Sequence, residues 1–405
     1  MNATLQCLSS IKEFKNYFQN RELVQKDINN RNGLLSNAFV ELVNKIWENT
    51  YETYYAPYNF KKLISELNPL FRGVQANDSK DLIIFIYETL HNELNNPNSD
   101  NKILAKLNNE NIPNDLKIFR QNYYSQNYSI ITNIFYAEQT SNLLCHSCQC
   151  NKVSYNIYNF LIFPLEKIRL YLIKKNSQNL LNVTLYNCFE QNEEKELLSG
   201  PNQIYCNNCR RQSNALSFNK LYNCPEVLTI ILNRGKGLQF SVEFDFPMIL
   251  DIEKYVVDKN CGTKYDLIGV LTHLGESGMG GHFIAYCKSP KDSKWYCYND
   301  ALVNECSDAK KEIMSRGIPY VLYYQKIKGD FTLFFKYYEK GGYLETNENE
   351  LLINVIKNIC SKYTFVKPKE GNNVILKKEN QEYNLDPNKT LIQNGLKSED
   401  TIQIS

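Results

Sequence analysis

The chain has 405 residues, with 46 basic and 44 acidic side chains and a formal net charge of +2. So even a balance gives no bulk attraction for nucleic acid or an anionic membrane surface, and no apolar run approaches the roughly 20 residues needed to cross a bilayer. Aromatics at 13%, including 29 tyrosines, argue for packed cores rather than disorder, and the length allows two domains. The opening MNATLQCLSS has no basic stretch leading into an apolar one, so it is not a secretory signal. Thirteen cysteines, an odd number in a long chain without such a signal, point to metal binding in a reducing compartment rather than a disulfide framework. The expected location is intracellular, cytoplasmic and/or nuclear.

In chain order, Leu5, Leu8, Ile11 and Phe14 have helical spacing, which predicts a helix from Met1 to about Tyr17 with Asn2 and Thr4 in its cap region. Leu34–Trp47 reads as a second helix. Asp78–Leu94 reads as a third, with Leu82, Phe85, Ile86 and Leu90 as its inward stripe. From about Ser129 the period shortens, and Ile130, Thr132, Ile134 and Tyr136 suggest a strand. Strand-like segments then dominate to Tyr324. Segments 96–118 and 174–203, rich in Asn, Lys and Glu, are expected to be surface insertions. After a boundary near Ile327–Asp330, the expected elements are a strand at Phe331–Lys336, a turn at Gly341-Gly342 and a helix over Asn347–Lys362. Short strands follow at Val374–Lys377 and Thr401–Ile404. That β-β-α-β-β order suits a small β-grasp domain.

Two Cys-x-x-Cys pairs stand out, Cys145/Cys148 and Cys206/Cys209. Each presents two thiolates on a tight turn, and two facing turns make a closed, all-thiolate, tetrahedral site for structural Zn2+. His146 and Cys150 are close enough to compete as ligands, but neither has a counterpart in the second pair. The long insert between the pairs implies that the turns tip two long strand pairs.

Gly280-Gly281-His282-Phe283 opens an alternating, strand-like run, and Trp295–Asn299 followed by Asp300 ends a second after a Pro/Lys/Asp/Ser turn. Paired as a hairpin, the two runs bring Asn299 or Asp300 within reach of His282, as in sites that hold an imidazole in one tautomer. A histidine in a glycine-flanked strand is more often structural. Of the four histidines, however, only His282 has a close carboxamide or carboxylate partner downstream.

The run YDLIGVLTHLGESGMGGHFIAYCKSP, with KWYCYNDALV and YVLYYQ after it, resembles the histidine box of the ubiquitin-specific protease family, papain-like cysteine peptidases that remove ubiquitin. FRGVQANDSKDLIIFIYETLHNEL resembles the box ahead of that family's long helix. SIITNIFYAEQTSNLLCHSC and YCNNCRRQSNALSFNKLYNCPEVLTIILNR resemble its zinc knuckles and the strand beyond, and FPMILDIEKYV its next segment. The resemblance implies an α+β fold with a papain-like thumb, palm and zinc-bearing fingers over residues 1–327. It makes His282 the general base and Asn299 the residue orienting it, with Asp300 in a supporting role. Asp78 and Asp81 would meet the arginine-bearing tail of ubiquitin, which an N-cap and first-turn acid can also do. Gly280 and Gly281 would leave room for its terminal glycines, and Phe283 stands where the family often has Tyr.

The family's cysteine box, roughly G-N-T-C-Y-M-N-x-x-L-Q-x-L, aligns with this chain only from its Met onward, which puts the nucleophile two residues before Met1. Cys7 would lie about 12 Å farther along a helix axis and reads as a half-buried helix thiol. Ala76-Asn77 replaces the usual Gln-Gln. Residues 328–405 resemble a ubiquitin-like domain ending Ile404-Ser405, without the Gly-Gly needed for conjugation. The implied function is a cysteine-type deubiquitinase (ubiquitinyl hydrolase) acting on ubiquitin and ubiquitinated proteins, inactive as this chain stands. The alternative is a non-catalytic ubiquitin-binding scaffold. A zinc-dependent nucleic-acid binder is disfavoured by the neutral charge and the lack of a basic stripe at the knuckles.

Overall fold

The computed structural model describes residues 1–29, 31–48, 54–73, 77–96, 112–176, 182–275, 280–327, 331–337, 340–346, 350–363, 366, 374–378, 381–398 and 400–404. It divides into two units, Met1–Lys326 and Ile327–Ser405. Helices and sheets are mixed throughout the first, and the second is rich in β-structure.

The first unit is organised by one sheet. Its strands run Leu302–Glu305, Trp295–Asn299, His282–Lys288, Lys264–Leu274, Ile318–Lys326, Val227–Asn233 and Leu161–Pro164, and Ile249–Asp251 pairs beside Lys264–Leu274. Alternate side chains enter different cores because successive residues of a strand point to opposite faces. Leu271, Ala285, Cys287, Val321 and Tyr323 pack against the helices from the first part of the chain. Val270, Ile284, Tyr286, Leu322 and Tyr324 pack on the other face, with Leu165, Ile168 and Phe189. Burial on both sides explains the near-continuous apolar reading of Val227–Asn233.

The long opening helix expected from the spacing is two helices, Asn2–Ser10 and Lys12–Gln19, broken where Ile11 takes an extended conformation. Asn2 and Thr4 do not cap it. Met1 is the N-cap residue, Thr4 is buried, and the Asn2 side chain bonds Asp300 instead. The helix at Leu34–Trp47 begins after Gly33, whose left-handed conformation supplies no capping side chain. The cap comes from another helix. The fully buried carboxylate of Glu93 accepts from Leu35 N (3.0 Å), Ser36 N (2.7 Å) and Ser36 Oγ (2.7 Å).

Two further expectations need correction in this unit. Ile130–Phe135 is a helix rather than a strand, because Ser129 and Thr132 form a reciprocal capping box and the strand starts only at Ala137. The segment 174–203 is not merely a surface insertion. Within it, Leu185–Asn192 is a helix capped by Thr184 and Asn187, and it buries Leu185, Cys188 and Phe189 in the second core. Much of 96–118 lies outside the described residues, and Asn114–Tyr124 is a helix.

A second sheet, ordered Asn151–Tyr158, Ala137–Cys145, Ala215–Leu221 and Glu196–Leu198, carries the first cysteine pair at its tip. At its base Arg120 makes a two-pronged ion pair with buried Glu138 (2.9 and 2.7 Å).

In the second unit, strands are ordered Lys340–Thr346, Phe331–Tyr337, Thr401–Ile404, Val374–Lys378 and Gln381–Asn384, and the pair Phe331–Tyr337 with Thr401–Ile404 is parallel. The helix Leu352–Lys362 lays Leu352, Val355 and Ile359 against Leu333, Phe335, Ile402 and Ile404. Gly341 and Gly342 do not form a turn. They lie inside a strand, paired with Lys336 and Phe335.

Candidate catalytic cleft and metal centre

The two cysteine turns are built alike. In the first, Gln149 donates its N–H to Cys145 O (2.9 Å), and in the second Arg210 donates to Cys206 O (2.7 Å). Both closing residues adopt positive φ, 58° and 53°. The first turn joins Ala137–Cys145 to Asn151–Tyr158, and the second joins Ile204–Cys206 to Arg211–Ser213. Facing each other, they bring the four sulfurs within 4.8 Å of one another. Across the gap, Cys145 and Cys209 are 3.9 Å apart and Cys148 and Cys206 are 3.7 Å apart. A tetrahedron with metal–sulfur bonds of about 2.3 Å has edges of about 3.8 Å, so the cluster is sized for one tetrahedral cation. The thiols are unequal: the Cys148 backbone N–H pulls Cys145 down to about 6, whereas sulfur neighbours, Cys148 first, push Cys209 up to about 12. Four such groups crowded together favour a cation that removes their protons. His146 and Cys150 are exposed and outside the cluster.

His282 begins the strand His282–Lys288, which pairs antiparallel with Trp295–Asn299. Its Nε2 lies 2.7 Å from Asn299 Oδ1. An amide oxygen can only accept, so Nε2 carries the proton and Nδ1 is left with the lone pair of a base. Asp300, at φ 50°, is farther away, with Oδ2 3.6 Å from Nε2. Its other oxygen accepts from Asn2 Nδ2 at 2.7 Å, which ties the first helix to the end of the hairpin. Burial holds the Met1 α-amine below its ordinary value, partly offset by the Asp300 carboxylate.

These groups border a cleft of about 770 Å³. Met1, Asn2 and His282 line it, as do Asp78 and Ser79 at a helix start and Gly235, Lys236 and Phe240 on a loop, with His273, Gly280, Gly281, Phe283 and Tyr320 also in the lining. Asp78 caps the helix Ser79–Glu93 by accepting from Lys80 N (2.9 Å), and its other oxygen accepts from Tyr320 Oη at 2.8 Å. Asp81, in the first turn, lies 3.9 Å from Lys80 Nζ. Asn77 lines the cleft, while Ala76 lies outside the described residues.

Gly281 is required by packing. At φ 150° a Cβ there would stand 2.5 Å from the His273 ring, whereas a Cβ at Gly280 would meet open space. Phe283 packs edge-on between His273 and Tyr320, with centroids at 4.9 and 5.3 Å. Cys7 is fully buried rather than half-buried. Its sulfur is 3.6 Å from that of Cys287, and burial raises its thiol well above the ordinary value. Among the described residues lining the cleft there is no cysteine.

Sequence reasoning missed Tyr320, Phe240 and Lys236 and left His273 without a role. His273 could have been found, since pairing the two strands sets it opposite Phe283. Tyr320 and Phe240 reach the cleft through tertiary packing alone.

Residues 1–324 match the family described as ubiquitin carboxyl-terminal hydrolase. The chain belongs to that family. It is 26% identical to human ubiquitin carboxyl-terminal hydrolase 2 over 340 residues, covering 80% of this chain and 53% of the relative. It is 25% identical to human ubiquitin carboxyl-terminal hydrolase 21 over 348 residues, covering 80% and 59%. The chain thus spans about half the length of the curated relatives it matches. Its fold resembles the yeast SAGA DUB module (TM-score 0.58, 21% identity, 81% of this chain and 66% of that one). It also resembles the Ubp8/Sgf11/Sus1/Sgf73 DUB module bound to ubiquitin aldehyde (TM-score 0.58, 20% identity, 81% and 67%).

Proposed function

We propose that residues 1–327 form the papain-like catalytic domain of a cysteine-type deubiquitinase, which hydrolyses the bond after the C-terminal glycine of ubiquitin on protein conjugates. The observation that carries this reading is the 2.7 Å bond from His282 Nε2 to Asn299 Oδ1, which leaves Nδ1 basic in the lining of a 770 Å³ cleft. In the reaction, Nδ1 takes the proton of a cysteine thiol. The thiolate adds to the glycine carbonyl carbon, the C–N bond breaks, and the proton passes from His282 to the departing amine. Water then hydrolyses the thioester, with His282 again as base. Asn299 keeps the imidazole in the reactive tautomer without adding charge, and Asp300 acts from 3.6 Å as a supporting carboxylate. Asp78 and Asp81 would pair with the basic tail of ubiquitin, over the glycines at 280 and 281 and the Phe283 ring. The four-cysteine cluster would hold structural Zn2+ in the fingers that grip ubiquitin.

This reading requires a thiol beside Nδ1. Among the described residues lining the cleft there is none, and Met1 is part of that lining. The same observation favours a second reading, a scaffold that binds ubiquitin without cleaving it. Residues 328–405 would be a β-grasp, ubiquitin-like module. The strand order, with its central parallel pair crossed by one helix, supports that assignment. A cytoplasmic and/or nuclear site of action goes with the abundance of free thiols.

The test is a ubiquitin probe with a C-terminal electrophile. The 405-residue chain is expected to bind ubiquitin weakly and form no adduct. A chain extended ahead of Met1 by the family's cysteine box is expected to form one, and to lose it with His282→Ala. An adduct on Cys7, or no ubiquitin binding at all, would overturn the reading. An extended chain that binds ubiquitin but stays unlabelled would decide for the scaffold.

A further inference from the structure

Arg234 is the largest fully buried side chain, with 2% of its surface exposed. Burying a guanidinium is costly unless its charge and its N–H groups are matched. Burial lowers the Arg234 guanidinium to about 10, still cationic at neutral pH, with the Tyr320 hydroxyl and the Cys188 thiol opposing that shift, and among the described residues no carboxylate is one of these groups. It is matched by backbone carbonyls instead. Nη1 donates to Phe240 O (3.1 Å) and Val242 O (2.6 Å), and Nε donates to Pro319 O (2.8 Å).

Two of these carbonyls belong to the loop that follows Arg234 itself, and the third lies on the strand Ile318–Lys326. The loop can curl back onto the guanidinium because Gly235 and Gly237 both adopt φ 66°. Three of its residues, Gly235, Lys236 and Phe240, line the cleft. Phe240 packs against His273 (4.9 Å, edge-on) and Tyr320 (6.3 Å, stacked). His273 in turn abuts Gly281 and Phe283, and Tyr320 holds Asp78. One side of the cleft is therefore a single aromatic cluster of Phe240, His273, Phe283 and Tyr320, and both its loop and its strand are hung from one planar fork of donors.

We propose that Arg234 is a positioning residue for this cleft: by clamping residues 235–242 to the strand at Pro319, it sets Phe240 and Tyr320, and through them the channel that receives the last residues of the acyl-side polypeptide. The proposal rests on the deubiquitinase reading, in which that polypeptide is the tail of ubiquitin. A lysine at this position presents one ammonium and cannot reach three carbonyls in the same plane.

The test compares the affinity of the 405-residue chain for whole ubiquitin with its affinity for ubiquitin lacking its C-terminal tail, which isolates the part of binding owed to the channel. Arg234→Lys is expected to reduce the preference for the whole form by about tenfold, the scale of losing one significant binding contact, and to leave binding of the tail-less form unchanged. Phe240→Ala keeps the carbonyls of the clamp and is expected to give the same loss, so the proposal remains testable if the arginine variant does not fold. Variants that keep the full preference, or that lose both forms in parallel, would overturn the proposal. A wild-type chain that binds neither form, or both equally, removes the deubiquitinase reading and this proposal with it.

Discussion

The cysteine cluster and the His282 cleft are built by opposite means. Each half of the cluster is a self-contained turn with its own backbone hydrogen bond and its own positive-φ residue, and the fold has only to face one half toward the other. The cleft has no such unit. His282 and Asn299 come from one hairpin, Asp78 from a helix start, Tyr320 from a strand in the middle of the sheet, and Phe240 from a loop held by a buried arginine. A closed four-cysteine cluster is thus specified by local spacing, whereas an open cleft is specified by packing some distance from His282. The two should fail independently.

The largest separation is expected from metal removal. Structural zinc in four thiolates contributes on the order of 10 kcal/mol to the segments it joins. Chelation, or Cys206→Ser, should release Ile204–Ser213 from Ala137–Tyr158. Hydrogen exchange should rise sharply at those strands and stay unchanged at His282–Asn299. Loss of protection at both places together would mean that the cluster and the cleft share one cooperative unit.

Next in size is Glu93→Ala, which tests the buried cap that one helix supplies to another. It strips the N–H groups of Leu35 and Ser36 and the Ser36 hydroxyl of a buried acceptor. About 3 kcal/mol is expected to be lost, measured by denaturant unfolding. Glu93→Gln keeps an acceptor and should lose less. A change within about 0.5 kcal/mol, the range of ordinary surface substitutions, would show that water replaces the cap.

The same contrast explains what could be read from the sequence. The Cys-x-x-Cys spacing named all four sulfurs that come together, and the Gly-His and Asn-Asp runs named a hairpin whose ends meet at 2.7 Å. Leu34–Trp47 was legible from its period, but its cap was not, because Gly33 is silent and Glu93 is far away in the chain. Ile130–Phe135 read as a strand because its β-branched residues alternate, and the local capping box of Ser129 and Thr132 outweighed them. Arg234 showed no signal at all: nothing in its neighbourhood distinguishes a surface arginine from one that organises a wall.

A smaller effect is expected at the hairpin itself. Asn299→Ala removes the acceptor of His282 Nε2 but no buried contact, since the pair is exposed. Stability should stay within about 0.5 kcal/mol of wild type. The nitrogen shifts of His282, however, should move from one dominant tautomer, protonated at Nε2, toward a mixture. An unchanged tautomer would assign its control to Asp300 instead.

The smallest expected effect is on pH dependence, and it concerns the wall. His273 is held below its ordinary value of 6.5, chiefly by burial. Its bond to Gly275 O and the Asp78 carboxylate oppose that shift, and neighbouring His282 adds to it. A histidine that is harder to protonate in the fold than in the unfolded chain binds fewer protons when folded. Its contribution is therefore intact above 6.5 and is lost as the pH falls from 6.5 toward the lowered folded value. His91, also lowered mainly by burial, has the same sign but sits on a helix with its Nδ1 against Ser129 Oγ, away from the cleft lining. The thermal midpoint should thus fall as the pH is lowered from 7 toward 5.5, with the slope shared by the two residues. His273→Gln should remove one share and His91→Gln the other. Only the His273 share should be accompanied by a change in the environment of Phe240 and Phe283, whose rings pack with it. If the midpoint is flat over that range, or if ring signals from the cleft wall respond equally to both substitutions, then the wall does not move with His273.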